Sequence, residues 1–212
     1  MLDLYCERTG PGLWAEPVNA LTNIGFVFVA WLIWRIAARE QVQDSSIAAI
    51  TATIMAIGIG SFLFHTMPGA ITRWLDVVPV FVFQLLYLGF YSRRVSDLSM
   101  PVSGILLLVF LTAAVVASRF EDVLNGSLIY APALLVICIL GACHYRSKKA
   151  GPGLLLGAAG MFLVSIVLRS VDLRVCIHVG LGTHFLWHIL NAFVMYLAMR
   201  ALVVNLSTCS NR

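Results

Sequence analysis

Seven apolar stretches, each about as long as a bilayer core is thick, dominate this sequence. An α-helix needs about 20 predominantly apolar residues to cross the hydrocarbon core. Because the loops between the stretches are short, neighbouring helices should run antiparallel. The pattern predicts an all-α fold, an integral membrane bundle of seven transmembrane helices. The stretches cover residues 18–38, 46–67, 71–91, 100–118, 127–145, 151–171 and 181–205.

A single membrane domain is expected, because no repeat, low-complexity tract or long linker interrupts the pattern. We place this domain at residues 18–205, with an extramembrane segment at 1–17 and a tail at 206–212. Hydrophobic residues make up 60% of the chain and charged residues 11%, against about 25% charged in soluble domains. The net charge of +4 does not indicate nucleic-acid binding, since the basic residues are scattered between apolar stretches. No obligate protein partner is implied.

The orientation follows from the basic residues near the helix ends, which concentrate on the cytoplasmic side of membrane proteins. Of the 14 lysines and arginines, nine fall on the side of the C-terminus and five on the side of the N-terminus. This bias predicts an outside N-terminus and a cytoplasmic C-terminus.

A few polar residues lie within the predicted spans, where ionisable groups are costly and usually functional. Ser61 and His65 are near the end of the second span, Asp76 is near the start of the third, and His184 and His188 begin the seventh. The second span ends at the face from which the third and seventh begin. The topology therefore predicts that all five side chains meet at one membrane face, on the non-cytoplasmic side.

The histidines among them predict a metal site. His184 and His188 are four residues apart, so they project from one side of a helix, one turn apart. His65 is expected at the same depth on another helix. Three neutral imidazoles with one open position are the arrangement of a catalytic zinc ion.

For three other polar residues near or within the spans, we expect structural rather than catalytic roles. His144 and His178 are expected to be packing or interfacial residues. Asp172 lies between two arginines in sequence, and we expect it to form an interfacial ion pair with Arg169 or Arg174.

The five cysteines show no CxxC spacing. Cys138 and Cys143 lie in an apolar run and are expected to be inert core thiols. Only Cys6 and Cys176 would be able to form a disulfide, and only outside the cytosol. We expect these two cysteines to be unpaired.

The motifs resemble those of the alkaline ceramidase family, within a superfamily of seven-helix membrane hydrolases that includes the adiponectin and progestin receptors. The matches are GxGSxxFH from Gly58 to His65, the acid Asp76, and HxxWH from His184 to His188. The resemblance runs from Cys6 to about residue 202. It implies that the three histidines hold Zn²⁺, that Ser61 and Asp76 complete the active site, and that a ceramide-like lipid from the bilayer is hydrolysed to a sphingoid base and a fatty acid.

In the mechanism that we expect, Asp76 orients a water molecule, accepts its proton and passes that proton to the leaving amine. The Ser61 hydroxyl would stabilise the tetrahedral oxyanion, a contact worth roughly 2.7–4 kcal/mol. Ser61 as a nucleophile is disfavoured, because it needs a free base nearby and His65 would be occupied by metal. Ser61 would otherwise bond back to a helix carbonyl.

The N-terminal segment resembles the family's calcium-binding segment in part. The resemblance implies a Ca²⁺ site at Glu7, Glu16 and Asn19. However, Leu4 stands where the family usually has an acid, and Thr9 where it has asparagine. The competing interpretation is that these acids are simply exposed at the interface.

Four alternative functions compete with ceramide hydrolysis, and the sequence argues against the last of them. A hydrolase of another lipid amide or ester, and a receptor or channel with a structural zinc, are both compatible with the motifs. A haem protein would need His65 together with one of the other two histidines. A rhodopsin-like pump needs a lysine in the last helix, but the only lysines are Lys148 and Lys149, in a loop.

Overall fold

The structure is a computed structural model, described here over residues 5–120 and 122–210, with side chains up to Thr208. Within these residues it is all-helical, and seven segments are long and apolar enough to cross a membrane, which confirms the predicted fold class. These segments are Pro17–Arg39, Ser45–Thr66, Ala70–Arg94, Met100–Ala117, Ser127–Arg146, Leu154–Val175 and His184–Thr208. Each boundary lies within a few residues of its predicted position.

Eight α-helices build these segments, because the first segment is divided in two. They are α1 (Pro17–Thr22), α2 (Ile24–Arg39), α3 (Ser45–Thr66), α4 (Ala70–Arg94), α5 (Met100–Ala117), α6 (Ala131–Arg146), α7 (Leu154–Val175) and α8 (His184–Ser210), with a 3-10 turn at Ser127–Tyr130 before α6. The last helix extends into the segment that the sequence had suggested as a tail. The predicted division at residues 17 and 205 stays a prediction, and residues 1–4, including Leu4, lie outside the described ranges.

The break between α1 and α2 has a local cause. The Thr22 hydroxyl donates to the carbonyls of Val18 (2.8 Å) and Asn19 (3.0 Å), and the Asn23 amide donates to the Asn19 carbonyl (2.8 Å). Side chains that bond back to helix carbonyls compete with the backbone ladder and bend helices. The first segment therefore divides at Asn23, and the short helix α1 packs against α3 and α8.

The contact between α3 and α4 depends on a glycine and a proline. Pro79 lies inside α4 and has no N–H, so the carbonyl of Leu75, four residues earlier, loses its helical hydrogen bond. That turn of α4 lies against Gly60, where an added Cβ would collide with the Leu75 carbonyl oxygen. Gly60 thus allows the turn that carries Asp76 to approach α3 directly beside Ser61.

Helix α8 lies at the centre of the bundle. In its spanning window 61% of the residues are buried, against 17% for α5, so α5 presents most of its surface to the bilayer. The main core packs α8 against α2, α3 and α4, through side chains that include Ile33, Ile50, Ile54, Met199 and Leu202. Cys138 and Cys143 are exposed on the outer face of α6, so the prediction that they are core thiols was wrong.

A disulfide joins Cys6 to Cys176, with the two Cα atoms 5.5 Å apart. The prediction that these cysteines stay unpaired was wrong. The two residues are separated by 170 positions in sequence, and only the folding of the N-terminal segment across the end of α7 brings them together.

Asp172 is fully buried and organises the start of α8. Its carboxylate accepts hydrogen bonds from the backbone N–H groups of Cys6 (2.9 Å), Thr183 (2.6 Å) and His184 (2.8 Å). The predicted ion pair with Arg169 or Arg174 was wrong, because these backbone donors take both carboxylate oxygens. Asp172 thus satisfies N–H groups that a helix start leaves unpaired, and it fixes the turn from which His184 projects.

Candidate metal centre and lipid cavity

The structure brings His65, His184 and His188 together at one end of the bundle. One ring nitrogen from each lies within 4.8 Å of the others, and the three side chains are almost fully buried. His65 comes from the end of α3, and the other two come from the first two turns of α8. This is the arrangement that the helix count and the spacing predicted.

The free ring nitrogens fit a metal ion. Nδ1 of His65 lies 2.5 Å from a Glu16 oxygen, and its Nε2 is buried without a partner. Nδ1 of His184 is also buried without a partner. Nδ1 of His188 lies 3.0 Å from the Thr22 hydroxyl, which leaves Nε2 as its remaining ligand atom. Buried polar atoms without partners are costly, and three imidazole nitrogens are a usual ligand set for zinc.

Two of the histidines contact a second side chain through Nδ1, the ring nitrogen that is not the proposed ligand atom. Glu16 contacts His65 and Thr22 contacts His188, and such outer partners fix the orientation of ligating histidines. Burial by itself would raise the pKa of the Glu16 carboxyl, but hydrogen bonds from His65 and Arg8 hold this pKa below its ordinary value. Glu16 therefore faces His65 as a carboxylate.

The residues of the implied calcium site also lie close together, but their oxygens are engaged. Glu7 accepts the backbone N–H groups of Val18 and Asn19, and Glu16 pairs with the Arg8 guanidinium. Of the side-chain oxygens of these three residues, only Oδ1 of Asn19 is buried without a partner. Ca²⁺ takes six to eight oxygen ligands, so this donor set does not fit a calcium ion, and Glu7 and Glu16 are buried rather than exposed interfacial acids.

Ser61 and Asp76 line the cavity beside the histidines. Ser61 is 3% exposed, and among the described residues its hydroxyl makes no hydrogen bond to a helix carbonyl, unlike Thr66 nearby. Asp76 is half-buried on the turn of α4 that packs against Gly60. Four of the five predicted site residues therefore line one space, and a ring nitrogen of the fifth, His65, lies within 4.8 Å of ring nitrogens of His184 and His188.

The sequence motifs did not reveal a cationic and aromatic group that also lines this space. The Arg169 guanidinium carbon lies 6.0, 5.5 and 5.7 Å from the ring centres of Tyr5, Tyr130 and Trp187. Nη1 of Arg169 donates to the Asn125 carbonyl and the Ser127 hydroxyl, both at 2.8 Å. The position of Arg169 one turn before Asp172 was the available signal, but we had interpreted it as an ion pair.

The ring of Tyr5 also covers His184, one of the three proposed metal ligands. Its ring stacks on His184, with the two centres 3.6 Å apart. Burial raises the pKa of the Tyr5 phenol, while the neighbouring Arg169 guanidinium opposes this rise. The stacked ring therefore stays neutral and shields His184 from water.

The cavity has a volume of about 100 Å³ and is partly open to its surroundings. Its polar end is lined by His184, His188, Ser61, Asp76 and Arg169. From there it continues between helices along an apolar wall of Val80, Phe83, Tyr87, Phe110, Val136, Leu140 and Met195. A polar end joined to an apolar channel is suited to a molecule with a polar group and a long hydrocarbon chain.

Comparison with known proteins gives a family. No curated protein matches the sequence. A family model described as Ceramidase matches residues 5–212, a range that includes every site residue named above. This chain belongs to the Ceramidase family.

Proposed function

We propose that this protein is a zinc-dependent membrane amidohydrolase that cleaves the amide bond of ceramide-like sphingolipids into a sphingoid base and a fatty acid. Family membership supports ceramide hydrolysis in general. The observation that carries the proposal is the convergence of three buried histidines, two of which line the polar end of an otherwise apolar cavity.

His65, His184 and His188 are the residues that would hold the metal. A bound zinc ion supplies Lewis acidity and lowers the pKa of water towards about 7. The residues of the chain supply the rest of the chemistry: they bind the lipid, orient the reacting groups and move protons.

Asp76 is the proposed general base and acid. It faces the cavity beside His184 and His188, where it would accept a proton from the attacking water and return it to the leaving amine nitrogen. A positioned carboxylate in this role contributes typically about 10²–10⁴-fold to the rate. The hydroxyl of Ser61 would donate a hydrogen bond to the oxygen of the amide as negative charge develops on it.

The proposed substrate is a two-chain lipid that enters from the bilayer. Its amide would lie at the polar end and one hydrocarbon chain would follow the apolar wall of the cavity. Seven segments that are long and apolar enough to cross a membrane support this entry from the bilayer.

We further propose that the N-terminus and the active site face the non-cytoplasmic side, and that the C-terminus is cytoplasmic. The distribution of basic residues, nine against five of 14, supports this orientation. The Cys6–Cys176 disulfide at the same end as the histidines adds independent support, because disulfides persist in oxidising compartments.

A panel of purified lipids tests the substrate. The protein in detergent is incubated with ceramide, with an N-acyl amide lacking the sphingoid base, and with a lipid ester, and products are identified by mass spectrometry. Preferential release of a sphingoid base from ceramide supports the proposal. Faster cleavage of another lipid would assign a related hydrolase, and the absence of any hydrolysis by zinc-loaded protein would favour a receptor with a structural metal.

A further inference from the structure

The N-terminal segment carries a buried arginine beside the proposed metal centre. Arg8 is only 4% exposed. Its Nε lies 2.5 Å from Oε1 of Glu16, Nη2 donates to the backbone carbonyl of His65 at 2.8 Å, and Nη1 donates to the carbonyl of Gly10 at 3.3 Å. A buried charge is tolerated when it is paired and hydrogen-bonded, and Arg8 meets both conditions.

Glu16 connects this arginine to the ring of His65. Oε1 of Glu16 pairs with Arg8, whereas Oε2 lies 2.5 Å from His65 Nδ1 and accepts from the Asn19 amide at 3.1 Å. Arg8 therefore holds both the carboxylate behind the imidazole and the backbone of the same histidine. The two contacts fix His65 at its main chain and at its side chain.

Glu7 is occupied elsewhere. Its two oxygens accept the N–H groups of Val18 (2.7 Å) and Asn19 (2.8 Å) at the start of α1. The N–H groups in the first turn of a helix have no partner within the helix, so Glu7 satisfies donors that burial would leave unpaired. Glu16 has one permanently cationic partner among the described residues, Arg8, beside the ring of His65.

We propose that the guanidinium of Arg8 is the resident cation of this cluster, in the place where the family resemblance implies Ca²⁺, and that it positions His65 through Glu16 without any bound divalent cation. Arg8 and Glu16 are positioning residues. The part of this inference that concerns His65 rests on the proposed metal site, and the part that concerns calcium does not.

The geometry of the guanidinium is central to the inference. Arg8 serves three acceptors in different directions, which the planar fork of arginine allows and the single ammonium of lysine does not. Removal of Arg8 would leave the Glu16 carboxylate, which is 2% exposed, without its positive partner. His65 would then lose a fixed outer contact while its own ring stayed intact.

Thermal unfolding of the purified wild-type protein tests the calcium part. The protein is treated with EGTA and then measured with millimolar CaCl₂ or, as a control, MgCl₂. A ligand that binds only the folded state raises Tm. We expect the same Tm in all three conditions. A rise in Tm that is specific to calcium would overturn the proposal.

Zinc affinity, measured by competition with a chromogenic chelator, tests the positioning part. The variants are Arg8→Gln, Arg8→Lys and the control Arg73→Gln, an exposed arginine at the start of α4 at the same end of the bundle. Loss of an outer partner typically weakens metal affinity about 10–100-fold. We expect a loss in this range for Arg8→Gln, a loss for Arg8→Lys too, and none for Arg73→Gln.

A folded Arg8→Gln variant with wild-type zinc affinity would overturn the positioning role, even if its Tm were lower. If Arg8→Gln does not fold, the affinity of Arg8→Lys decides instead. A wild-type protein that binds no zinc would rule out the proposed zinc-dependent function. The calcium measurement would still decide whether Arg8 is the resident cation of the cluster.

Discussion

Gly60 of α3 lies against the carbonyl group of Leu75 in α4, with no room for a Cβ between them. This contact sets the position of Asp76, the next residue of α4. A Gly60→Ala substitution should push this turn away from Ser61 while leaving the three histidines in place. Because a misplacement of about 1 Å can cost about 100-fold in rate, we expect a loss of that order in ceramide hydrolysis with zinc content unchanged.

Gly104→Ala is the matched control, since a Cβ at Gly104 in α5 would meet nothing within 4 Å. Its activity should equal that of the wild type. Full activity in Gly60→Ala would show that the close approach of α3 and α4 does not position the reacting groups.

The proposed role of Asp76 predicts a catalytic defect without a metal defect. Asp76→Asn keeps the size of the side chain but removes the proton acceptor, so kcat should fall by about 10²–10⁴-fold. Zinc content, measured by mass spectrometry of the metal, should stay at the wild-type level. An Asp76→Asn variant that hydrolyses ceramide at the wild-type rate would contradict the general-base role.

Ser61→Ala distinguishes hydrogen bonding from nucleophilic attack. If the hydroxyl stabilises the oxyanion, kcat should fall by about 10²–10³-fold and measurable hydrolysis should remain. If Ser61 were the nucleophile, rapid quenching of the wild-type reaction would trap an acyl group on the serine. We expect no acylated peptide by mass spectrometry, and its detection would reverse the assignment.

We propose that Arg169, which lines the same cavity as His184 and His188, offers a cation to the bound lipid. It lines the cavity among three aromatic rings, and no carboxylate among the described residues forms an ion pair with it. Arg169→Gln should lower kcat/KM by roughly tenfold or more, the usual effect of losing a hydrogen bond to a charged group. Arg174→Gln, on the exposed surface of the same helix, is the control. Equal kcat/KM in both variants would exclude a role for Arg169 in substrate binding.

The spanning helices were predictable because apolar length is a local property of the sequence. The meeting of His65 with His184 and His188 was also predictable, since it needs only the number of helices between them and the four-residue spacing within α8. Both predictions use the antiparallel arrangement that short loops impose.

The contacts of the N-terminal segment were not predictable from sequence. The Cys6–Cys176 disulfide joins positions 170 apart in sequence, and it exists only because residues 5–16 fold across the end of the bundle. The same fold brings the Cys6 N–H group to Asp172, whose carboxylate also caps α8 at Thr183 and His184. The interaction of Arg8 with Glu16 is hidden for the same reason: sequence shows two charges but not that both are buried. Partial motif matches in this segment suggested a calcium site at Glu7, Glu16 and Asn19. In the structure the Arg8 guanidinium lies against Glu16 there.

The most direct test of the central claim combines metal analysis with ceramide hydrolysis in the wild type and in His184→Ala. The account predicts one zinc ion per wild-type chain, release of a sphingoid base and a fatty acid, and the loss of both zinc and hydrolysis in the variant. A folded wild-type protein that hydrolyses ceramide without bound metal, or a His184→Ala variant that retains full activity, would contradict it.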